Sequence, residues 1–160
     1  MTVSAIEVAY RVTCEQAEYA GSVSSKWVNG FLYVVASEYA KEKNQAPFQE
    51  DFHTYTTGPV IPATRVFFQG GVVTRKQARL MKRAIPEAGA SGDDLLESIY
   101  QRVFEDLKLL SGDLVMRRVC ADGSAWWVTN ELEGPIIPWK LIKRDVSYKE
   151  LLGAHKDEEE

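Results

Sequence analysis

The stretch SSKWVNGFLYVVASEYAKEK, residues 24 to 43, decides the fold because it has the clearest helical pattern in the chain. Ser24 or Ser25 can cap its start, since a serine oxygen accepts the first free backbone N–H groups of a helix. Large apolar residues then recur every four positions, the spacing of one helix face. They are Trp27, Phe31, Val35 and Tyr39, and Val28 and Leu32 widen the stripe. We therefore predict a long amphipathic helix that ends before Pro47.

Capping signals predict further helices on both sides of this one. A Ser or Thr followed three residues later by Glu or Gln marks a helix start, and it occurs as Ser4/Glu7, Thr74/Gln77 and Ser147/Glu150. The first two pairs predict helices over residues 5 to 19 and 75 to 85, and Ser111 caps another at GDLVMRRVC. Asp93 opens a helix with an apolar side made of Leu96, Ile99, Tyr100, Val103 and Leu107.

The segment HTYTTGPVIP, residues 53 to 62, interrupts these helices. Residues 52 to 57 are rich in β-forming side chains and predict a short strand. Gly58-Pro59 is expected to stop it because proline has no N–H to donate, and Pro62 can open a short helix. The prediction is a mainly α (α+β) fold, a compact bundle of five to six helices with a small β element around the GPV-x-P turn.

The late loop ADGSAWW contains the second aromatic feature. Asp122-Gly123 is a turn signal, and WWVTNE after it is compatible with a short strand. In an extended chain the rings of Trp126 and Trp127 point to opposite sides, so one can enter the core while the other stays at the surface. Tryptophan gives a large contact area with a polar N–H, which makes the pair a candidate for partner binding.

Composition indicates one domain over residues 1 to 153 and an acidic tail over residues 154 to 160. The chain has 160 residues, of which 45% are apolar and 26% charged, as is ordinary for a globular protein. It has no apolar run of membrane-spanning length and no signal peptide pattern, and Cys14 and Cys120 are too isolated to suggest disulfides. We expect a cytoplasmic protein with no membrane partner.

No residue constellation predicts an enzyme. The chain has two histidines, His53 and His155, too few for a zinc site, and its glycines match no phosphate-binding motif. No nucleophile elbow surrounds any serine, and the adjacent carboxylates lie in polar settings that do not raise a pKa. These pairs are Glu50-Asp51, Asp93-Asp94 and Glu105-Asp106. We expect no catalytic residue, cofactor or metal.

The predicted helix over residues 75 to 85 has a cationic stripe made of Arg75, Lys76, Arg79, Lys82 and Arg83. Leu80, Met81, Ala84 and Ile85 are expected on its opposite side. The stripe can contact nucleic-acid phosphates or an acidic protein surface, or it can simply be the solvated face of a helix that packs on the core. A net charge of -4 argues against a protein whose whole surface binds nucleic acid.

Three segments together resemble the Panacea antitoxin domain family, which includes SocA-like proteins and many phage- and prophage-encoded members. The family has a helix of the type KLQKLLYFA, an aromatic-x-x-GPVVP turn and a late TH-x-x-GSPW loop. The resemblance covers about residues 22 to 152. Matching positions are Lys26, Phe31, Leu32 and Tyr33 in the helix, Phe48 and Tyr55, Gly58, Pro59, Val60 and Pro62 in the turn, and Asp122, Gly123, Ser124 and Trp126 in the loop.

The chain departs from the family pattern at several positions. Thr57 stands where tyrosine is frequent, Val119-Cys120 replaces the Thr-His pair, and Ala125 replaces the proline before Trp126. Residues 69 to 92, which contain the cationic stripe, have no counterpart in the pattern. A role that depends on the Thr-His pair, or on the stripe, is therefore not implied by the resemblance.

The resemblance implies an antitoxin that binds and neutralises a cognate protein toxin, usually encoded by an adjacent gene. One SocA-like branch acts instead as an adaptor that delivers its toxin to a ClpXP-type protease. The alternatives are a phage-encoded counter-defence protein and a nucleic-acid-binding regulator that uses the basic helix 75 to 83. For partner binding, the candidate residues are Tyr55, Gly58, Pro59, Val60, Pro62, Trp126 and Trp127.

Overall fold

The computed structural model describes residues 3 to 84 and 92 to 153. The elements are α1 (Ala5–Ala20), β1 (Ser22–Val23), α2 (Ser25–Lys43), β2 (His53–Tyr55), β3 (Gly58–Val60), β4 (Val73–Thr74), α3 (Arg75–Ala84), α4 (Asp94–Leu107), α5 (Gly112–Val119), α6 (Ala125–Glu131) and α7 (Trp139–Arg144). Two 3-10 helices, Pro62–Phe68 and Lys149–Leu151, follow β3 and α7. The fold is mainly α with small β elements, which confirms the predicted class.

Helix α2 lies at the centre, in contact with α1, α4, α5 and α7. Ser24 caps it by accepting the Trp27 N–H at 3.2 Å, and Asn44 ends it in a left-handed conformation at φ 56. The rings of Trp27 and Phe31 stack at 5.3 Å, and Tyr100 of α4 meets Phe31 edge-on at 5.2 Å. The apolar stripe predicted from the sequence is therefore the middle of the core.

Helix α4 also matches its prediction. Asp93 caps it by accepting the Leu96 N–H at 3.0 Å. The five residues of its predicted apolar side are all buried, namely Leu96, Ile99, Tyr100, Val103 and Leu107. A helix with such a complete apolar side packs against its neighbours along its whole length, which is why its sequence pattern is easy to interpret.

Two of the three predicted capping boxes differ from the structure. Thr74 and Gln77 form the expected reciprocal pair, with distances of 2.9 and 3.2 Å. Ser4 caps α1, but its hydroxyl accepts the Ile6 N–H at 3.2 Å and not that of Glu7, and the Glu50 carboxylate of a distant loop accepts the Ala5 N–H at 3.1 Å. The box at Ser147 is wrong, because the backbone N–H and hydroxyl of Ser147 both donate to the Asp145 carboxylate.

The strands form two antiparallel pairs, β1 with β4 and β2 with β3. The prediction that Gly58-Pro59 stops strand pairing is wrong, since both residues lie in β3, opposite Tyr55 and Thr54. The Thr54 N–H points away from β3 and donates to Pro135 O at 3.0 Å. Pro59 therefore occupies a position in the hairpin where no backbone donor is needed, which is where a strand tolerates proline.

The stretch WWVTNE is helical, so the predicted second strand is wrong. Ser124 caps α6 by accepting the Trp127 N–H at 3.1 Å. The serine before a β-prone run thus starts a helix, because a satisfied cap and tertiary packing outweigh the weak strand preference of Trp and Val. Trp126 and Trp127 are consequently about 100° apart around a helix rather than on opposite faces of a strand.

Candidate partner-binding surface

The corner of the β2–β3 hairpin is built around Gly58. Its φ is 138, and a Cβ at this position would lie 2.7 Å from the Met116 Sδ and 3.0 Å from the Cys120 Sγ. Gly58, Pro59 and Val60 are all buried. The glycine is thus required both by its backbone angle and by the close approach of α5. These three candidate residues therefore mainly support the surface from below.

The chain leaving the hairpin is held by Asn29, a buried polar residue of α2 that lies outside the predicted apolar stripe. The Asn29 Oδ1 accepts the Ile61 N–H at 3.0 Å, and its Nδ2 donates to the Thr64 Oγ1 at 3.1 Å. Neither the Asn29 nor the Thr64 side chain has any exposed surface. Pro62, which is half-buried, then starts the 3-10 helix, as predicted. A single asparagine among the mainly apolar residues 27 to 36 is the sequence signal that could have indicated this anchor.

The hairpin and helix α6 are joined, although 71 positions separate the two residues that link them. The Trp126 Nε1–H donates to Tyr55 O at 3.0 Å. The Thr54 hydroxyl donates to Gly134 O at 2.6 Å, and the Ile137 N–H donates to Phe52 O at 2.9 Å. The segment after α6 therefore pairs with the outer edge of β2, and the two motif segments form one unit.

Tyr55 presents its ring beside a cation at the surface. The guanidinium carbon of the exposed Arg65 lies 5.1 Å from the centre of the Tyr55 ring, a favourable cation–π distance. Both residues border a cleft of about 200 Å³ whose other walls include Lys26, Val60 and Met116. We call Tyr55, Arg65 and Trp126 the hairpin surface. Aromatic and arginine side chains on a rigid support are typical anchors of protein interfaces.

The two neighbouring tryptophans have different environments. Trp126 is half-buried and packs against the core. Trp127 is also half-buried, one position further along α6. The two side chains leave α6 about 100° apart, and the Trp126 indole is the one that donates to the hairpin, at Tyr55 O. His53 is half-buried within β2, with its ring 6.3 Å from that of Tyr55, and so belongs to the wall of the hairpin.

Cys120 lies beneath the hairpin corner. Its thiol faces Thr57 O at 4.0 Å, and burial, aided by the negative charge of Asp145, raises the pKa of Cys120 to about 11. A thiol with this pKa stays protonated at neutral pH and is a poor nucleophile. Cys14 is buried against Ala78 of α3, and burial raises its pKa also.

A buried polar cluster that the sequence did not reveal joins α2 to the C-terminal segment. Tyr148 donates to the Glu38 carboxylate at 2.7 Å, Lys149 donates to it at 2.8 Å, and Tyr33 donates to Asp145. Burial alone would raise the pKa of Glu38, but the hydrogen bonds from Lys149 and Tyr148 outweigh it and hold the pKa below its ordinary value.

The cluster also holds a serine and a lysine close together. The Lys41 Nζ donates to the Ser37 Oγ at 2.7 Å. A serine hydroxyl this close to a basic side chain is an arrangement that enzymes use to activate a nucleophile. Ser37 and Tyr148 have no exposed surface, however, and the Ser37 hydroxyl already donates to Ile142 O at 2.6 Å. A substrate cannot reach this serine, so we interpret the cluster as structural.

The cationic stripe is only partly free. Arg79 lies 2.7 Å and Arg75 lies 3.9 Å from the Glu18 carboxylate of α1. The predicted apolar side of this helix is partly wrong, because Leu80 is 53% exposed and Ala84 is exposed, whereas Ala78 is buried. Helix α3 contacts α1 on the side of Ala78, and Leu80 lies about 160° away around the helix, so Leu80 stays at the surface. Ile85 lies outside the described residues.

The part of the chain that the structure describes contains no group of three His, Cys, Asp or Glu side chains suited to a metal ion. No helix in residues 3 to 84 and 92 to 153 combines the length and the apolar character needed to cross a bilayer. Comparison with protein-family models, with curated proteins and with solved structures found no match for this chain. The similarity to Panacea domains is therefore a hypothesis that depends on the motif residues named above.

Proposed function

We propose that this chain is the antitoxin of a toxin–antitoxin system, which neutralises a cognate protein toxin by direct binding. One observation carries the proposal. The two segments that resemble Panacea domains, the GPV-x-P turn and the DGSAW loop, are in contact through the bond from the Trp126 Nε1 to Tyr55 O at 3.0 Å. Motif residues that are distant in sequence but adjacent in space favour a shared role.

The hairpin surface has the chemistry that a protein partner requires. Tyr55 and Arg65 are held side by side at 5.1 Å above a shallow cleft, and the buried residues of β3 make their support rigid. An aromatic ring and a guanidinium that are already ordered lose little conformational entropy when they bind. We propose that the toxin covers Tyr55, Arg65 and the exposed edges of Trp126 and Trp127.

A co-expression assay tests this function. The gene next to this one is induced alone and together with the chain, and growth is followed. We expect growth arrest from the neighbouring gene alone and relief when both are expressed. If the neighbouring product is harmless, and the chain rescues growth from no member of a panel of toxins, the antitoxin proposal is withdrawn.

Two matched charge reversals and one tryptophan variant test whether the toxin binds at the hairpin surface. Arg65→Glu should abolish rescue and weaken toxin binding at least about tenfold, because it replaces the interfacial cation by a repulsive carboxylate. Arg117→Glu, at an exposed arginine of α5, is the control and should rescue fully. Trp127→Ala should weaken binding while thermal melting stays near that of the wild type. Equal rescue by all three variants would exclude the hairpin surface while leaving the antitoxin function intact.

Neutralisation can proceed by masking or by delivery to a ClpXP-type protease. The two are distinguished by following the toxin level after induction in cells with and without ClpX. Masking leaves the toxin level unchanged and rescue intact in both strains. Delivery makes the toxin short-lived, and both its degradation and the rescue are lost without ClpX.

The alternative functions have weaker support. A nucleic-acid-binding regulator would use the cations of α3, but Arg75 and Arg79 already contact Glu18. Its signature would be a gel shift that weakens steeply with salt. A phage-encoded counter-defence protein would bind a defence component through the same hairpin surface, and it would rescue phage growth in a host that carries that defence.

A further inference from the structure

A second surface, separate from the hairpin surface, lies beside helix α3. It is an open groove of about 410 Å³ between the segment that ends in β4 and the helix. Its walls are mainly apolar and include Tyr10, Val66, Phe67, Val72, Met81 and Ala84. We call it the α3 groove.

Several large apolar side chains are exposed in and beside the groove. Val66 is 60% exposed, Val72 50% and Leu80 53%, and all three lie in or beside the groove. Below them, Tyr10 and Phe67 form a floor with ring centres 6.0 Å apart, and the Tyr10 hydroxyl donates to Met81 O at 3.0 Å. The floor is therefore fixed while the walls remain open, and adjacent exposed apolar residues are characteristic of a protein-binding groove.

The rim of the groove along α3 is cationic. Three residues of α3 face the groove, namely Gln77, Met81 and Ala84. The residue before each of them lies about 100° away, on the adjacent side of the helix. These preceding residues are Lys76, Leu80 and Arg83. Helix α3 has five cationic and no acidic side chains. Within residues 3 to 84 and 92 to 153, no carboxylate lies within 4.0 Å of Lys76, Lys82 or Arg83. Glu18 pairs with Arg75 and Arg79 and also interacts electrostatically with Lys82, so Lys76 and Arg83 are the rim cations that remain for a ligand.

An apolar floor beside a basic rim selects the kind of ligand. A nucleic acid would need cations where its phosphates lie, but here the cations border a surface that phosphates avoid. A helical segment with apolar residues on one face and Glu or Asp beside them matches both the groove and its rim. We infer that the α3 groove docks an acidic amphipathic segment of a protein partner.

The inference does not depend on the antitoxin proposal, which uses the hairpin surface. A toxin that also occupies the groove would be held at two places, and its affinity would gain from both contacts. A different partner could equally bind there while the toxin occupies the hairpin surface. The test therefore uses a designed peptide and no toxin, so that failure of one proposal leaves the other standing.

The probe is a fluorescein-labelled helical peptide with leucines at i, i+4 and i+7 and glutamates on the flanking positions. Two companions replace either the glutamates by lysine or the leucines by serine. Binding to the full chain is measured by fluorescence polarisation at low and high salt. We expect the acidic peptide to bind at least about tenfold more tightly than either companion, and more weakly at high salt, where exposed charges are screened.

Matched variants assign the binding to the groove. Val66→Asp should weaken binding of the acidic peptide about tenfold, because it places a carboxylate in the apolar wall. Val146→Asp is the control, since Val146 lies between α7 and the last 3-10 helix and is 62% exposed, close to the 60% of Val66. The double variant Lys76→Glu, Arg83→Glu should weaken binding and remove most of its salt dependence. Val72→Asp repeats the wall test if Val66→Asp melts early.

Four results would overturn the inference. They are no binding of the acidic peptide at about millimolar concentration, equal binding of the lysine peptide, equal weakening by Val146→Asp, and unchanged binding in the rim double variant. Analytical ultracentrifugation adds a further check. If the chain self-associates and Val66→Asp alone abolishes the association, the occupant is a second copy of the chain, and the inferred partner is wrong.

Discussion

The hairpin corner and helix α3 contain the two sets of candidate residues, and they differ in how far they are built into the core. In the corner, Gly58, Pro59 and Val60 are buried, and the glycine is in contact with α5. Within Arg75–Ala84, Ala78 alone is buried. The GPV-x-P turn is recognisable in the sequence because its fold requires glycine and proline at fixed positions. The cationic stripe of α3 is not distinctive, because any exposed basic helix has the same pattern. The corner therefore presents few of its motif residues to a partner, and α3 presents nearly all of its side chains.

Gly58→Val should have the largest effect on stability. It forces a β-branched residue to a φ of 138 and pushes its side chain into Met116 and Cys120. Strain and overlap together should cost about 3 kcal/mol or more, measured by urea unfolding. Gly71→Val is the control, because Gly71 also has a positive φ, of 97, but a Cβ there has no neighbour within 4 Å. Equal losses in the two variants would show that the corner is no more tightly packed than the loop before α3.

The Cys120 thiol beneath the corner should lose its proton only at high pH. With its pKa raised from the ordinary 9.0 to about 11, Cys120 is protonated below that pH, and its alkylation by iodoacetamide should rise about tenfold per pH unit. Rates are measured in a Cys14→Ala background between about pH 7.5 and pH 10, with circular dichroism as the check on folding. A rate that levels off near pH 9 would mean that the corner does not bury the thiol.

Trp126→Ala should destabilise the domain more than Trp127→Ala. The Trp126 indole packs on the core and donates to Tyr55 O, so its loss removes apolar contacts and leaves a strand carbonyl without this donor. We expect a cost of about 2 kcal/mol for Trp126→Ala and less than half of that for Trp127→Ala, by thermal and urea unfolding. The reverse order would place Trp127, and not Trp126, under the hairpin.

Arg79→Ala should have the smallest effect. The pair with Glu18 is at the surface, with side chains 64% and 48% exposed, where solvent screens the charges. The Tm should change by no more than about 1 °C, and the change should disappear in high salt. A larger loss that persists in salt would mean that α3 is held to α1 by its cations and not by Ala78.

How far an element is built into the core also explains which sequence predictions succeeded. Helices α2 and α4 have complete apolar stripes and strong caps at Ser24 and Asp93, so their pattern alone predicts them. Helix α6 has a cap of the same kind at Ser124, but its β-prone residues indicated a strand. Leu80 is apolar and exposed because α3 contacts α1 on the side of Ala78, nearly opposite Leu80, and local spacing does not state which side of a helix meets its neighbour.

The candidate surface was only partly predictable. The sequence indicated Tyr55 and Trp126 as candidate partner-binding residues in two separate segments, and the structure joins them by a hydrogen bond. Arg65 was not singled out, since a lone exposed arginine has no pattern, and its partner ring lies on a different element. The buried carboxylates of Glu38 and Asp145 were also missed, because a sequence does not state which charges will be enclosed.

By itself the sequence determined the mainly α class, the positions of the long helices and the interruption of the helices at the GPV-x-P turn. These features depend on local spacing, capping and backbone freedom, which neighbouring residues decide. Only the tertiary structure decided that the corner is a hairpin joined to α6, that a polar cluster binds α2 to the C-terminal segment, and that α3 borders an open groove. Those features depend on contacts between residues far apart in the chain, and local propensity contains no information about them.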